Sequence, residues 1–303
     1  MKKNRILPYL SATVYAGIFG LSFMFTKIGL IHFTTMELIA FRFLLAAMVL
    51  ELLKALKLIK VSFKGKNFKL VIMTAIFEPI LYFLFEVEGV RLSTTSESGL
   101  MISLIPIFTA IFAFIILREK LRFKQILFII LSVCGVIIIN VFKDKVELSG
   151  NFRGLMFLLL AVVSATFYNL SSKRSSREFT PIEITYGMMW LSAIVFNTIL
   201  LTSKIFNGDL KGYFTPLSNT QAMLPLLYLG ILSSVVAFFC VNYTISRIPV
   251  SQSAIFANLI TIVAIIAGVF ILKEPFGIID ALGALMILVG VWGTVYFGEK
   301  DYS

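Results

Sequence analysis

The chain has 303 residues, of which 59% are hydrophobic and only 14% are charged, and its mean hydropathy is +0.96. A soluble globular domain is roughly 45–50% apolar, so this composition excludes one and indicates an integral membrane protein. The net charge of +11 does not indicate a nucleic-acid binder, because the basic residues stand between long apolar runs and form no single basic face.

The N-terminus has the basic start of a signal peptide, with Lys2, Lys3 and Arg5. The uncharged stretch that follows, 6–26, is longer than the roughly 7–15 residues of a signal-peptide core, and no small-residue cleavage site follows it. We therefore predict that this stretch is a first membrane span that the protein retains.

Further apolar windows, long enough to cross ~30 Å of hydrocarbon, recur to the end of the chain. Two of them contain charge and are also predicted to be spans: 38–53 carries Arg42, and 70–85 carries Glu78. The uncharged windows are 98–117, 125–142, 154–172, 184–203, 222–246, 248–272 and 281–298. The sequence thus predicts an all-α membrane protein with about ten transmembrane helices.

The basic residues of the short loops predict the orientation. With an N-terminus in the cytoplasm, most loop Lys and Arg residues fall on the cytoplasmic side, above all in the loops 54–69, 118–124 and 173–177. We expect a protein of the cytoplasmic (inner) membrane that crosses it an even number of times, with both termini in the cytoplasm.

An internal repeat is the most informative feature of the sequence. A shift of 155 residues lays 96–136 onto 251–291, so that Ser96 meets Ser251, Glu119 meets Glu274 and Gly135 meets Gly290. Apolar sequences also align by chance, but here the polar and glycine matches keep one register.

A weaker echo joins Phe33-Thr-Thr-Met-Glu37 to Phe179-Thr-Pro-Ile-Glu183. An odd number of spans in each half inverts the second copy relative to the first. We predict two inverted repeats of five helices each, 1–145 and 146–303.

The order and spacing of several short motifs resemble the EamA-like branch of the drug/metabolite transporter superfamily, whose members carry two tandem five-helix domains. The motifs are Gly20-Leu-Ser-Phe-Met-Phe-Thr-Lys-Ile-Gly29, Arg42-Phe43, Ser103-Leu-Ile-Pro-Ile-Phe108, Leu-Arg-Glu at 117–119 and Leu-Lys-Glu-Pro at 272–275. This resemblance implies a basket of ten helices around a central cavity. Its lining would come mainly from the first, third, fourth, sixth, eighth and ninth spans, with the fifth and tenth at the periphery.

Glu78 is the most deeply placed ionisable candidate, at the middle of the third span and followed by Pro79. A charge at mid-membrane costs roughly 2.5–3.5 kcal/mol on insertion scales, so it persists with a partner, in a wet cavity or in neutral form. Two interpretations remain open. Glu78 either couples transport to protons or binds a cationic group of the solute, or it is a structural residue, paired with Lys27 or Arg42 or permanently protonated at a kink.

Lys27 and Arg42 are predicted to form an outer charged group, in the outer parts of the first and second spans. Long basic side chains placed there commonly snorkel to the interface or pair with acids at neighbouring helix ends. The alternative is an outer vestibule that attracts anions.

Polar and aromatic residues near mid-depth form a second set of candidates for solute contacts, since hydroxyl, amide and ring groups suit a solute with polar and apolar parts. The set is Ser22, Tyr82, Ser103, Tyr168, Asn169, Ser233 and Asn258. Each of them is also a candidate for a plain hydrogen bond between helices.

Gly283, Gly290 and Gly293 share one face of the last span, with Gly135 in the fifth, and we predict that they serve helix packing or dimer contacts. No Walker sequence, GxSxG elbow, HExxH motif or acidic metal cluster occurs in the sequence. We therefore expect no cofactor, no bound metal and no enzymatic activity.

The function that the sequence favours is a secondary transporter, with export as the expected direction, of small organic solutes such as amino acids, metabolites or drugs. The solute and the lipid bilayer are the expected partners, a homodimer is possible in principle, and nucleic acid is not expected. The alternatives are a translocase of a lipid or lipid-linked solute, a lipid-handling membrane enzyme and a membrane scaffold.

Overall fold

A computed structural model describes residues 6–117, 122–141, 148–209, 211–248 and 256–298. Over these ranges the chain forms no β-strand, two short 3-10 helices (Lys211–Tyr213 and Thr215–Ser218) and ten longer helical segments. They are α1 (Ile6–Gly29), α2 (Thr35–Ala55), α3 (Lys69–Leu92), α4 (Thr95–Ile102 and Ile105–Leu117), α5 (Phe123–Val141), α6 (Leu148–Ser175), α7 (Pro181–Phe206), α8 (Thr220–Arg247), α9 (256–271) and α10 (Ile278–Gly298). Each predicted apolar window overlaps one of these helices.

Five of the described helices, α1, α3, α6, α7 and α8, are long and apolar enough to cross a bilayer on length and composition alone. Shorter apolar helices occur at Phe123–Ile138, Asn258–Ile271 and Ile278–Thr294. The remaining two, α2 and the two-part α4, pack among them. All backbone groups of a spanning segment must be bonded internally, which a helix achieves, so the chain is an all-α membrane fold.

Contacts between helix ends assign them to two faces of the bundle. At the N-terminal face, where α1 begins, Thr244 near the end of α8 donates a hydrogen bond to the carbonyl of Pro8 (3.3 Å). Lys173 near the end of α6 reaches the carbonyl of Ile245 (2.6 Å). At the opposite, far face, Lys204 near the end of α7 pairs with Glu37 at the start of α2 (3.0 Å). The helices therefore alternate in direction along the chain.

The equivalent helices α2 and α7 begin with the same capping motif, in which a Thr side chain accepts from the Glu three residues on and that Glu accepts from the Thr backbone. These are the two segments of the weaker sequence echo. Glu37 then pairs with Lys204 of the second half, and Glu183 with Lys66 of the first half (2.6 Å). The repeat thus places one ion pair between the halves at each face of the bundle.

The equivalent helices α3 and α8 both contain a π-helical stretch, Ile76–Leu81 and Tyr228–Ala237. The 155-residue shift also carries the start of α5, Phe123, onto the start of α10, Ile278. The fold is therefore two inverted five-helix repeats. Glu119 and Ser251 of the sequence alignment lie outside the described residues.

The fifth and tenth helices pack against each other along the predicted glycine face. A Cβ atom at Gly135 would lie 2.7 Å from the carbonyl oxygen of Gly283, and one at Gly293 would lie 2.3 Å from the ring of Phe128. Ser132 of α5 donates to the carbonyl of Ile287 of α10 (3.0 Å). The glycines thus serve packing within one chain.

We predict that Gly290→Ala destabilises the protein, because the added methyl group would lie 2.6 Å from the carbonyl oxygen of Phe128 and 2.8 Å from the amide nitrogen of Ser132. Overpacking of this kind costs roughly 1–3 kcal/mol, and backbone atoms cannot rotate away. Gly17→Ala in α1 is the matched control, since no atom lies within 4 Å of its Cβ position. Thermal unfolding in detergent should give a lower midpoint for the first variant only, and equal midpoints would contradict the packing described.

Candidate functional site

A cavity of ≈ 90 Å³ lies between the two halves of the bundle. A single buried water occupies roughly 10–15 Å³ on this measure, so the cavity holds several waters or a small solute. Its walls come from six helices, represented by Ser22 of α1, Glu78 of α3, Ile105 of α4, Tyr168 of α6, Val241 of α8 and Ile260 of α9. These are the six spans that the resemblance implied.

The third helix is broken where it reaches the cavity. Glu78 has extended backbone angles (φ −149°, ψ 124°) within the π-helical stretch, and the helix resumes at Pro79. Proline has no amide hydrogen and a fixed φ, so it fits the first position of a helix better than its interior. The break places the acidic residue Glu78 in the cavity wall. Short π-helical segments inside α-helices frequently occur at functional sites.

The carboxyl groups of Glu78 and Glu86 both line the cavity, with Tyr82 between them in the sequence. Glu78 is 7% exposed and Glu86 is 2% exposed. The Oε2 atom of Glu86 has no hydrogen-bond partner among the described residues. A buried carboxylate oxygen without a donor is costly, so this oxygen needs a donor from the cavity, a water or a ligand, or a proton of its own.

Arg42 is buried, at 1% exposure, and reaches from the first half into the second. Its guanidinium donates to the hydroxyls of Ser234 (2.8 Å) and Ser233 (2.7 Å) and lies 4.1 Å from the centre of the Phe83 ring. It also interacts through space with the carboxylates of Glu86 and Glu78. Arg42 therefore supplies a positive charge beside the cavity, and two of its N–H donors are bound by the opposite repeat.

Arg42 and Lys27, which the sequence predicts to form an outer charged group, have separate partners in the structure. Lys27 lies at the far face, where its ammonium group donates to the carbonyl oxygens of Val90 and Ser93 at the end of α3. Arg42 does not snorkel to that face, because the serine hydroxyls of α8 satisfy it within the bundle.

Glu274, which follows α9, forms a clasp with the start of α4 at the far face. Its carboxylate accepts from the amides of Thr95 (2.7 Å) and Ser96 (3.1 Å) at the start of α4, and from the Ser96 hydroxyl (3.1 Å). A helix N-terminus favours a negative charge, so this contact stabilises the junction of the two halves. Lys27 lies within the electrostatic range of the Glu274 carboxylate.

Tyr168 is held toward the N-terminal side of the cavity by a network around Asn242. The tyrosine hydroxyl (3.1 Å) and the hydroxyl of Ser172 (2.7 Å) both donate to Asn242 Oδ1. The amide nitrogen of Asn242 in turn donates to Thr185 (3.0 Å). Asn242 is fully buried and fixes the ring that lines the cavity.

The structure brings five of the predicted contact residues to the cavity wall: Ser22, Glu78, Tyr82, Tyr168 and Asn169. The other three have different surroundings. Ser103 donates to the carbonyl of Leu100 (2.6 Å), Ser233 accepts from Arg42, and Asn258 lies outside the cavity wall, with its Oδ1 unpartnered among the described residues.

Glu86 is the site residue that the sequence analysis missed, because it stood next to the end of an apolar window. The feature of the sequence that indicates Glu86 is its spacing from the other two residues. Glu78, Tyr82 and Glu86 follow one another at intervals of four, and residues four apart lie on one face of a helix. In the described part of the chain, no group of three or more His, Cys, Asp and Glu side chains could hold a metal ion.

Comparison with known proteins adds an independent finding. The model of the EamA-like transporter family matches two segments, 6–141 and 152–296. An uncharacterized transporter of Bacillus subtilis, YcxC, is 35% identical over 99% of this chain and 96% of its own length. A second one, YetK, is 27% identical over 97% of this chain and 88% of its own. A solved crystal structure with 15% identity superimposes over the whole of both chains with a TM-score of 0.65, which supports the fold alone.

We predict that the bonds from Arg42 to α8 contribute to stability as one unit. Hydrogen bonds to a charged group are worth about 1.5–3 kcal/mol, and removing either side leaves the other unsatisfied. Arg42→Lys and the pair Ser233→Ala with Ser234→Ala should each lower the unfolding midpoint, and the combined variant should lose less than their sum. Ser192→Ala is the control, since this buried hydroxyl has no partner among the described residues. If the losses of stability in the separate variants add up to the loss in the combined variant, these bonds do not act as one unit.

Proposed function

Because this chain belongs to the EamA-like transporter family, we propose that it is a secondary transporter that exports small organic solutes across the cytoplasmic membrane by alternating access. The observation that carries the proposal is the cavity with two buried carboxyl groups at the junction of two inverted halves. Inverted-repeat transporters bind their solute near the midplane, where the two repeats meet.

Alternating access requires contacts that form at one face while the other opens. The clasp of Glu274 on the start of α4 supports this mechanism, since it joins the first half to the second and consists of hydrogen bonds. The ion pairs between α2 and α7 join the halves at both faces and suit a pivot. We assign the N-terminal face to the cytoplasm, following the basic loops.

The energy source that fits the site is an ion gradient. The sequence carries no nucleotide-binding motif, so we propose neither ATP-driven transport nor enzymatic activity. Glu78 is the coupling residue of this proposal, because a carboxyl group in a broken helix at the cavity wall is able to take up a proton from one side and release it to the other. Arg42, Tyr82, Glu86 and Tyr168 are its charged or titratable neighbours.

A translocase of a lipid or lipid-linked solute is the weaker alternative. Such a molecule needs a chamber that is larger and open sideways to the bilayer, and a volume of ≈ 90 Å³ suits a small solute better.

We predict that Glu78→Gln lowers transport driven by a pH gradient roughly tenfold or more, because glutamine keeps the shape but cannot exchange a proton. The measurement is uptake of a panel of amino acids, amines and organic acids into proteoliposomes with an imposed pH gradient. Exchange of solute without a gradient should persist in the variant.

Glu88→Gln is the matched control for this experiment, since Glu88 is on the same helix but pairs with Arg91 near the far face (2.8 Å). It should transport as the parent does. If Glu78→Gln keeps the parental rate and the parental pH dependence, Glu78 has no coupling role. If the parent moves no solute of the panel, the proposed function itself is contradicted.

A further inference from the structure

The charges around the cavity are unbalanced. Two carboxyl groups, Glu78 and Glu86, line it, and the lining includes no basic side chain in the described part of the chain. Arg42 is a positive charge that acts on both carboxyl groups, and two of its N–H donors are bound by Ser233 and Ser234. One guanidinium balances the charge of one carboxylate, so a proton or another cation would balance the charge of the second.

The second carboxyl is not satisfied by the protein. Glu86 is 2% exposed and its Oε2 atom has no hydrogen-bond partner among the described residues, although it lies at a cavity large enough for a ligand. An ammonium group in the cavity would donate a hydrogen bond to this oxygen and would also supply a positive charge.

Six aromatic residues contribute to the rest of the lining. Tyr15, Phe19, Phe23, Tyr82, Phe83 and Tyr168 contribute rings to the wall. The face of an aromatic ring attracts a cation and also packs against apolar groups. Phe83 already binds a cation on one side, since the Arg42 guanidinium lies 4.1 Å from its ring centre.

We propose that this cavity binds organic monocations, an ammonium group with an apolar or aromatic body, with the charge at Glu86 and Glu78 and the body against the rings. The inference rests on the proposed function, because it names the class of solute that the transporter would carry. An anion would meet two acidic residues, and the lining includes no basic side chain in the described part of the chain. A neutral solute would leave the second carboxyl to be neutralised by a proton.

A proton is the other species that neutralises the second carboxyl, so proton and solute compete for one site. The titratable and charged groups that face the two carboxyls are Tyr15, Tyr82, Tyr168 and Arg42. Binding of the cation then displaces one proton, and the charge of the chamber is the same in both states. The site thereby links export of a cation to entry of a proton.

The test uses four probes with one phenyl ring and different charge: 2-phenylethylammonium, 2-phenylethanol, phenylalanine and phenylacetate. Binding to the purified full-length protein is measured by calorimetry, and movement of the same compounds is measured in proteoliposomes. We expect the cation to bind at least about tenfold more tightly than the neutral alcohol, and phenylacetate not to bind.

Glu86→Gln should weaken cation binding about tenfold or more and leave the weaker binding of the alcohol unchanged, because only the charge is removed. Phe19→Leu should weaken binding of the cation more than binding of the alcohol, because it removes an aromatic ring from the cavity wall. Glu88→Gln is the control and should bind all four probes as the parent does. The unfolding midpoints of the variants show whether each is folded.

The inference is overturned if the alcohol or phenylacetate binds as tightly as the cation, or if folded Glu86→Gln binds the cation as the parent does. The same measurements distinguish failure of this inference from failure of the proposed function. Transport of phenylalanine without binding of the cation refutes the inference and leaves the transporter intact. Tight binding of the cation, with none of the four compounds crossing the membrane, supports the site and refutes transport.

Discussion

The structure depends on how two buried carboxyl groups are neutralised where the halves meet. Glu78 and Glu86 come from the first half, and the arginine that compensates them is held by two serines of the second half. A change in the charge of the chamber therefore acts on a contact between the halves. In a medium of low dielectric such charges interact strongly, and on this interaction rests our proposal that solute, proton and the relative position of the halves are coupled.

The inverted repeat explains why this chamber has two equivalent sets of walls but unequal chemistry. The third helix of each half contains a π-helical stretch at the same place. In the first half this stretch carries an acid, and in the second half the residue at the equivalent position is Ser233, which binds Arg42. The repeat gives the two halves the same helical scaffold, and the difference between Glu78 and Ser233 at equivalent positions gives the site an acidic residue on one side only.

Much of the fold was predictable from the sequence, because the bilayer imposes a local rule. A segment that crosses hydrocarbon must be apolar for its whole length, so all ten helices were visible as windows. The same rule identified Glu78 as an exception within a window. It failed for Glu86, because the charge itself ended the window 70–85 while α3 continues to Leu92. It also failed for Arg42, whose partners in α8 are 191 and 192 residues away, so only tertiary packing brings them together.

The most direct measurement of this account is a pair of distances between α3 and α8, obtained by electron paramagnetic resonance in lipid nanodiscs. With Cys134 and Cys240 replaced by alanine, exposed positions are labelled at the N-terminal face (Lys69 and Arg247) and at the far face (Arg91 and Thr220). Between acidic and alkaline buffer, one distance should lengthen while the other shortens, and a variant with glutamine at 78 and 86 should show neither change. Two distances in the parent that stay constant, or that change in the same direction, would contradict alternating access governed by the buried carboxyls.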